Sequence, residues 1–189
     1  MSPANRRFLF LLCSTRRLGN SEQLAYCAAH PLPPGTQQEW LHLLDFPLPD
    51  FVDLRHSGSF QPPVGNAQLL LDATLNATDV VMVAPLYWYG LPASAKLYLD
   101  HWSAWLRTPG INFRERMKSK ALWAITVSSG ERAEAQPLED SLRLTAKYLH
   151  MRWGGLLYGV GSRPNDIQLD TQAQRRARFF FAASEKLLP

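Results

Sequence analysis

The stretch FLFLLCSTRRLGNSEQLA, residues 8–25, sets an unbroken apolar run against two adjacent arginines, a glycine and a helix-like start. An apolar run with no polar alternation is covered on both faces, the mark of an inner strand in a parallel sheet. A backbone passing from such a strand into a helix aims unpaired N–H groups at one point, where the helix dipole adds partial positive charge. Ser14, Thr15 and Ser21 add hydroxyls, Asn20 an amide, and Arg16 a fork that matches phosphate geometry. Gly19 lets the chain come close. On these residues alone, the loop reads equally as an anion cradle or as a plain strand–turn–helix with Asn20 as its cap and solvated arginines.

Working outward, the apolar runs 80–84 and 122–127 are also expected to be buried strands, beside weaker strands at 39–44 and 156–160. Helical patterns fill the gaps. The first covers 20–29, with Asn20 and Gln23 spaced as a capping box and Pro31 as the stop. The others cover 64–76, 92–106, 137–149 and 171–188. Strand and helix therefore alternate five times, which predicts one α/β three-layer sandwich over residues 1–189. The linker 45–63, with four prolines and a Ser-Gly-Ser, reads as a surface excursion.

Bulk composition narrows the classes. The chain has 189 residues, 46% hydrophobic and 19% charged, which suits a single globular domain with a full core. The net charge of +4 is spread along the chain, unlike the concentrated basic stripe of a nucleic-acid binder. Cys13 and Cys27 form no CxxC pair, and the five histidines show no ligand spacing, so neither a disulfide framework nor a metal is expected. The run after Arg6-Arg7 is too short for a secretion signal, and no stretch approaches the roughly 18 apolar residues of a spanning helix. A cytoplasmic protein without membrane insertion is expected.

In an open parallel sheet, ligands bind beyond the carboxyl ends of the strands. That selects the loops after residues 13, 84 and 127. The second contains Pro85, Leu86, Tyr87, Trp88, Tyr89 and Gly90. Adjacent side chains diverge, so at least one of its aromatic rings is expected at the ligand edge, where a flat heteroaromatic molecule needs stacking surface. The third loop, Ser128, Ser129, Gly130 and Glu131, is a small polar turn able to present N–H groups. Other phosphate loops are excluded. The chain has no G-x-x-x-x-G-K-[ST] and no G-x-G-x-x-G. Position six after Cys13 is Gly19, where a low-molecular-weight tyrosine phosphatase needs arginine, so Cys13 reads as a buried strand residue.

Taken together, the loops resemble the flavodoxin-like NAD(P)H-dependent FMN and quinone reductases. Ser14-Thr15-Arg16-Arg17-Leu18-Gly19-Asn20-Ser21 fits that family's S-x-R-x-x-G-N-S phosphate loop. The segment from Pro85 through Pro92-Ala93 to Lys96 and Asp100 fits its P-x-Y-W-x-x-x-P-A…K…D pattern. The resemblance implies a five-stranded parallel sheet of order 2-1-3-4-5 and an FMN cofactor. It implies that Ser14, Arg16, Gly19, Asn20 and Ser21 hold the phosphate, that 85–90 line the isoalloxazine ring, and that 128–130 face its pyrimidine edge. It also implies an oxidoreductase in which a hydride from NAD(P)H reaches a flavin, quinone or similar small acceptor through FMN in ping-pong turnover. Two departures stand out: Glu131 where a second glycine is common, and His101 where arginine is. A flavin- or anion-binding regulatory module of the same fold, without turnover, is the alternative. The segment 92–106 holds more oil than one buried face needs, with Tyr98 and Trp105 off the main stripe. A homodimer meeting through that surface is therefore expected.

Overall fold

The structure, a computed structural model, describes residues 6–182. Five parallel strands form one sheet: β1 (Arg7–Leu12), β2 (Gln37–His42), β3 (Asp79–Val83), β4 (Ala121–Ser128) and β5 (Arg152–Val160). Their order is β2-β1-β3-β4-β5, as the sequence led us to expect. Leu9 and Leu11 of β1 face one layer while Phe8, Phe10 and Leu12 face the other, because strand side chains alternate. On the first side lie α2 (Asn66–Asn76), α3 (Ala93–Trp105), the short α4 (Phe113–Met117) and α5 (Gln136–Tyr148). On the second lie α1 (Asn20–Ala29) and α6 (Thr171–Ala177). β2 is an edge strand, and its first residues Gln37, Gln38 and Glu39 are exposed.

Several local expectations are corrected. The cap of α1 is Gly19 rather than Asn20, so the Asn20–Gln23 capping box does not form. Glu22 takes over part of that role, its Oε2 accepting the Leu18 N–H at 2.6 Å. The helix expected over 171–188 ends at Ala177, followed by a turn to 182; residues 183–188 lie outside the described residues. The surplus oil of α3 goes largely inward. Tyr98, Trp102 and Trp105 are buried among themselves and against Phe113 of α4, with ring centroids 5.5–5.8 Å apart. The Tyr98 hydroxyl meets Thr74 Oγ1 at 2.6 Å. The excursion 45–63 is pinned to α3 by His101, whose Nε2 lies 2.8 Å from the Pro49 carbonyl, and by an edge-on contact between His101 and Phe51. His101 thus braces a loop.

β5 begins four residues earlier than its hydrophobic pattern suggests. Gly154 is an extra residue there: Leu122 pairs with Trp153 and Trp123 with Gly155, whose φ is +116°. A bulge of this kind needs glycine at its strained position. Gly154 also makes room for the fully buried Trp123 ring, which a Cβ at that position would approach to 2.2 Å. The ring cannot retreat easily, because its Nε1 donates to Asp79 at 2.9 Å, and Asp79 is held by Arg6 at 2.5 Å. Gly154→Ala is therefore expected to destabilise the fold by about 2 kcal/mol through overpacking. Urea unfolding should show a lower midpoint at unchanged slope; an unshifted midpoint would contradict this packing.

Candidate functional site

The three loops selected from the sequence emerge together at the carboxyl edge of the sheet. Hydrogen bonds carry the ladder past the strand ends: Cys13 N to Val83 O at 2.9 Å, Ala84 N to Ile125 O at 2.9 Å, and Leu86 N to Val127 O at 3.4 Å. Ser94 Oγ at the start of α3 donates to Cys13 O at 3.1 Å, tying the second loop's exit to the first loop's entry.

The first loop, residues 13–19, wraps into the N-terminus of α1. Ser14 is buried, and its Oγ accepts the Arg16 N–H at 3.0 Å. Leu18 has φ +53°, a turn that delivers Gly19 as the cap in extended conformation. Arg17 pairs with Asp45, whereas the exposed Arg16 guanidinium has no hydrogen bond or ion pair among the described residues. Ser21 is only 4% exposed, yet its hydroxyl has no partner among the described residues. Asn20 spends one amide N–H on the Arg163 carbonyl at 2.9 Å, and its buried Oδ1 accepts nothing among the described residues. A buried polar atom without a partner costs about 1–3 kcal/mol, so the unsatisfied Asn20 Oδ1 at this helix N-terminus is evidence of a site built for a ligand. The donors suit a phosphate, and the Asn20 oxygen suits a hydroxyl. Cys13 is buried, and burial pushes its thiol far above its ordinary range, so it cannot act as a nucleophile.

The second loop is a hairpin turn. Tyr87 and Gly90 exchange backbone hydrogen bonds at 3.2 and 3.0 Å, and Trp88 and Tyr89 between them have φ +48° and +62°. This is the geometry of a type I′ turn, which normally takes Asn and Gly. Two bulky residues in the left-handed region cost roughly 1–2 kcal/mol each. Trp88 is moreover 95% exposed, and Tyr87 and Tyr89 are about half exposed. All three rings stand at the edge, where at least one was expected. Pro85, Leu86 and Gly90 are half-buried beneath them. Strain and exposed aromatic surface at one spot mark a platform for a flat ligand.

In the third loop Ser128 Oγ, Gly130 and Tyr158 Oη are hydrogen-bonded to one another, while Ser129 is exposed. A fourth loop, which sequence reasoning did not single out, follows β5. Its residues brace the first: Arg163 O holds Asn20, Asn165 Oδ1 accepts from Gln23 Nε2 at 2.9 Å, and Gln168 Nε2 donates to Gln23 at 3.0 Å. The loop is shaped by Asp166, whose carboxylate accepts the Ser162 and Arg163 N–H groups; those bonds hold it below the usual carboxylate range. The Pro164-Asn165-Asp166 sequence was a legible turn signal, but nothing local tied it to α1.

Comparison with known proteins places the chain in a family. Residues 6–155 match the family of NADPH-dependent FMN reductases, and the chain belongs to that family. It is 29% identical over 176 residues to a Bacillus subtilis protein provisionally named the NAD(P)H-dependent FMN-containing oxidoreductase YwqN, covering 92% of this chain and 95% of that one. The fold is also that of the Trp repressor binding protein from Bacillus subtilis, with TM-score 0.75, 24% identity, and 92% and 97% of the two chains covered. An FMN-dependent NADH-azoreductase from Bacillus anthracis, solved with FMN, superposes with TM-score 0.63 at 13% identity, over 96% and 99% of the chains. The chain is therefore an oxidoreductase of a family that uses FMN and NAD(P)H.

Beside the first loop, His42 ends β2 at 5% exposure. Its Nδ1 accepts the Leu44 N–H at 3.4 Å, and its Nε2 has no partner among the described residues. Burial, and then the nearby Arg17 charge, hold its pKa below the ordinary imidazole value, against weaker opposing pulls from Glu22 and Asp45. A depressed histidine binds its proton more readily in the unfolded chain, so its share of stability is full above about pH 6.5 and is lost as pH falls toward the folded pKa. Urea midpoints at pH 7.5 and 5.5 should diverge more in the wild type than in His42→Asn; equal divergence would show that His42 does not carry the effect.

Proposed function

We propose that the first three loops hold one FMN and that the protein uses it to move reducing equivalents from NAD(P)H to a small acceptor such as a flavin or quinone. Ser14, Arg16, Gly19, Asn20 and Ser21 take the phosphate, with the Arg16 fork and the helix N-terminus supplying charge. The Asn20 Oδ1 accepts from a hydroxyl of the sugar-alcohol chain. Pro85, Leu86, Tyr87, Trp88, Tyr89 and Gly90 line the ring, and Ser128, Ser129 and Gly130 lie at its pyrimidine edge. The observation that carries this reading is the buried Asn20 Oδ1 at the start of α1, without a partner among the described residues, beside an exposed arginine that is itself unpaired among them.

When bound, FMN would supply the two-electron chemistry; the chain binds and orients it. The exposed aromatic hairpin offers one open platform, so donor and acceptor occupy it in turn and turnover is ping-pong. A homodimer is part of the same proposal. What remains exposed on α3 and α5 is a shallow groove including Leu99, Leu106, Leu144 and Tyr148, of which Leu144 and Tyr148 are more than half exposed. Burying it against a second copy would hide apolar surface that α3 does not spend internally. Light scattering should give twice 21.4 kDa; a monomer mass at high concentration would refute it.

The two arginines separate the phosphate reading from plain surface charge. Arg16→Ala should weaken FMN binding about tenfold or more, as expected for losing a charge-assisted bond of about 1.5–3 kcal/mol. Arg17→Ala, which removes the partner of exposed Asp45, should change it less than threefold. Equal effects would argue against a specific phosphate contact. In steady state, NAD(P)H oxidation with a quinone or free flavin should give parallel double-reciprocal lines. Bound FMN with no oxidation would favour the regulatory module instead.

A further inference from the structure

Tyr158 lies on β5 opposite Thr126 of β4 and is 5% exposed. Its hydroxyl is 2.6 Å from the Gly130 carbonyl and 2.9 Å from Ser128 Oγ, and Ser128 Oγ is 3.3 Å from the Gly130 N. Donor counting fixes the direction of these bonds. The Gly130 carbonyl can only accept, so Tyr158 donates to it. Tyr158 then has no second proton, so Ser128 donates to Tyr158. Ser128 Oγ, its own proton spent, accepts the Gly130 N–H. The result is a closed ring of three hydrogen bonds running in one sense, in which each hydroxyl polarises the next. The Ser128 carbonyl is fixed separately by the Gly161 N–H at 2.9 Å.

This ring spends both backbone groups of Gly130 on the protein. The Ser129 and Glu131 N–H groups and the Ser129 hydroxyl have no partner among the described residues, so they are the donors the loop retains for a ligand. Their placement depends on the peptide orientation that Tyr158 locks from a different strand. We propose that Tyr158 is a positioning residue: it holds the third loop so that these donors meet the pyrimidine edge of FMN and thereby set the cofactor's reduction potential. The proposal rests on the FMN reading above. The physical reason is that donors fixed in advance stabilise whichever redox form carries more negative charge at that edge, and the reduced form does. Loosening the loop lets the donors relax toward water and removes part of that preference.

The experiment compares wild-type protein with Tyr158→Phe, both loaded with FMN, by reductive titration against a reference dye. Phenylalanine keeps the ring and removes only the hydroxyl. The phosphate loop is untouched, so Tyr158→Phe should still bind FMN. Its preference for the reduced over the oxidised form should fall about tenfold, which places its midpoint about 30 mV more negative for a two-electron couple. Ser128→Ala opens the same ring and should shift the potential in the same direction; the double variant should add little, because either change alone breaks the cycle. If Tyr158→Phe fails to fold, Ser128→Ala carries the test. An unchanged potential in the variants, even with a lowered melting temperature, would overturn the proposal by reducing Tyr158 to a structural residue. A wild-type protein that takes up no FMN would instead remove the reading beneath it, and that outcome is visible before any potential is measured.

Discussion

The structure depends on β1 being oily on both faces. Phe8, Leu9, Phe10 and Leu11 are each at most 2% exposed. Each such side chain contributes about 1.5–3 kcal/mol when buried, so exposing one face of this strand would forfeit much of the 5–15 kcal/mol by which domains are stable. β1 must therefore sit inside the sheet with helices above and below. With β2 on one side of it and β3 on the other, the order reverses at β1, and the crevice opens beside its carboxyl end. The loop that leaves β1 there runs directly into α1, which places a helix N-terminus at the mouth of that crevice.

Around that point the chain tolerates local costs that the core outweighs. Leu18, Trp88 and Tyr89 adopt left-handed backbone, Trp88 stands in water, and the Asn20 oxygen is buried without a partner. None of these serves packing. They lie where strands β1 and β3 end, while at the opposite end of the sheet Arg6, Trp123 and Thr78 all converge on Asp79.

Much of this was legible because period and adjacency carry the signal. The runs in β1, β3 and β4 identify inner strands, and Ser14 through Ser21 identify the turn between strand and helix. What escaped was whatever depends on partners far along the chain. The start of β5 was hidden because Gly154 and Gly155 carry no apolar strand signal; they are there for the Trp123 ring and a bulge. α4 has five residues, too few for a period, and is held by Phe113 and Met117 filling the space beneath the α3 tryptophans. Tyr98 and Trp105 looked surplus to α3 because a single amphipathic stripe was assumed, whereas α2 and α4 cover a second one. The bracing of the first loop by Arg163 and Asn165, and the role of Tyr158 behind the third, join residues more than 140 and nearly 30 positions apart. Local sequence cannot display either.

The central claim is that the loops at this edge together form a site for one FMN. Titrating FMN into the purified protein while following flavin fluorescence tests it most directly. Quenching should saturate at one FMN per chain, with a visible absorption band that stays with the protein on gel filtration. A protein that remains colourless, with flavin fluorescence unchanged at every FMN concentration, would contradict it.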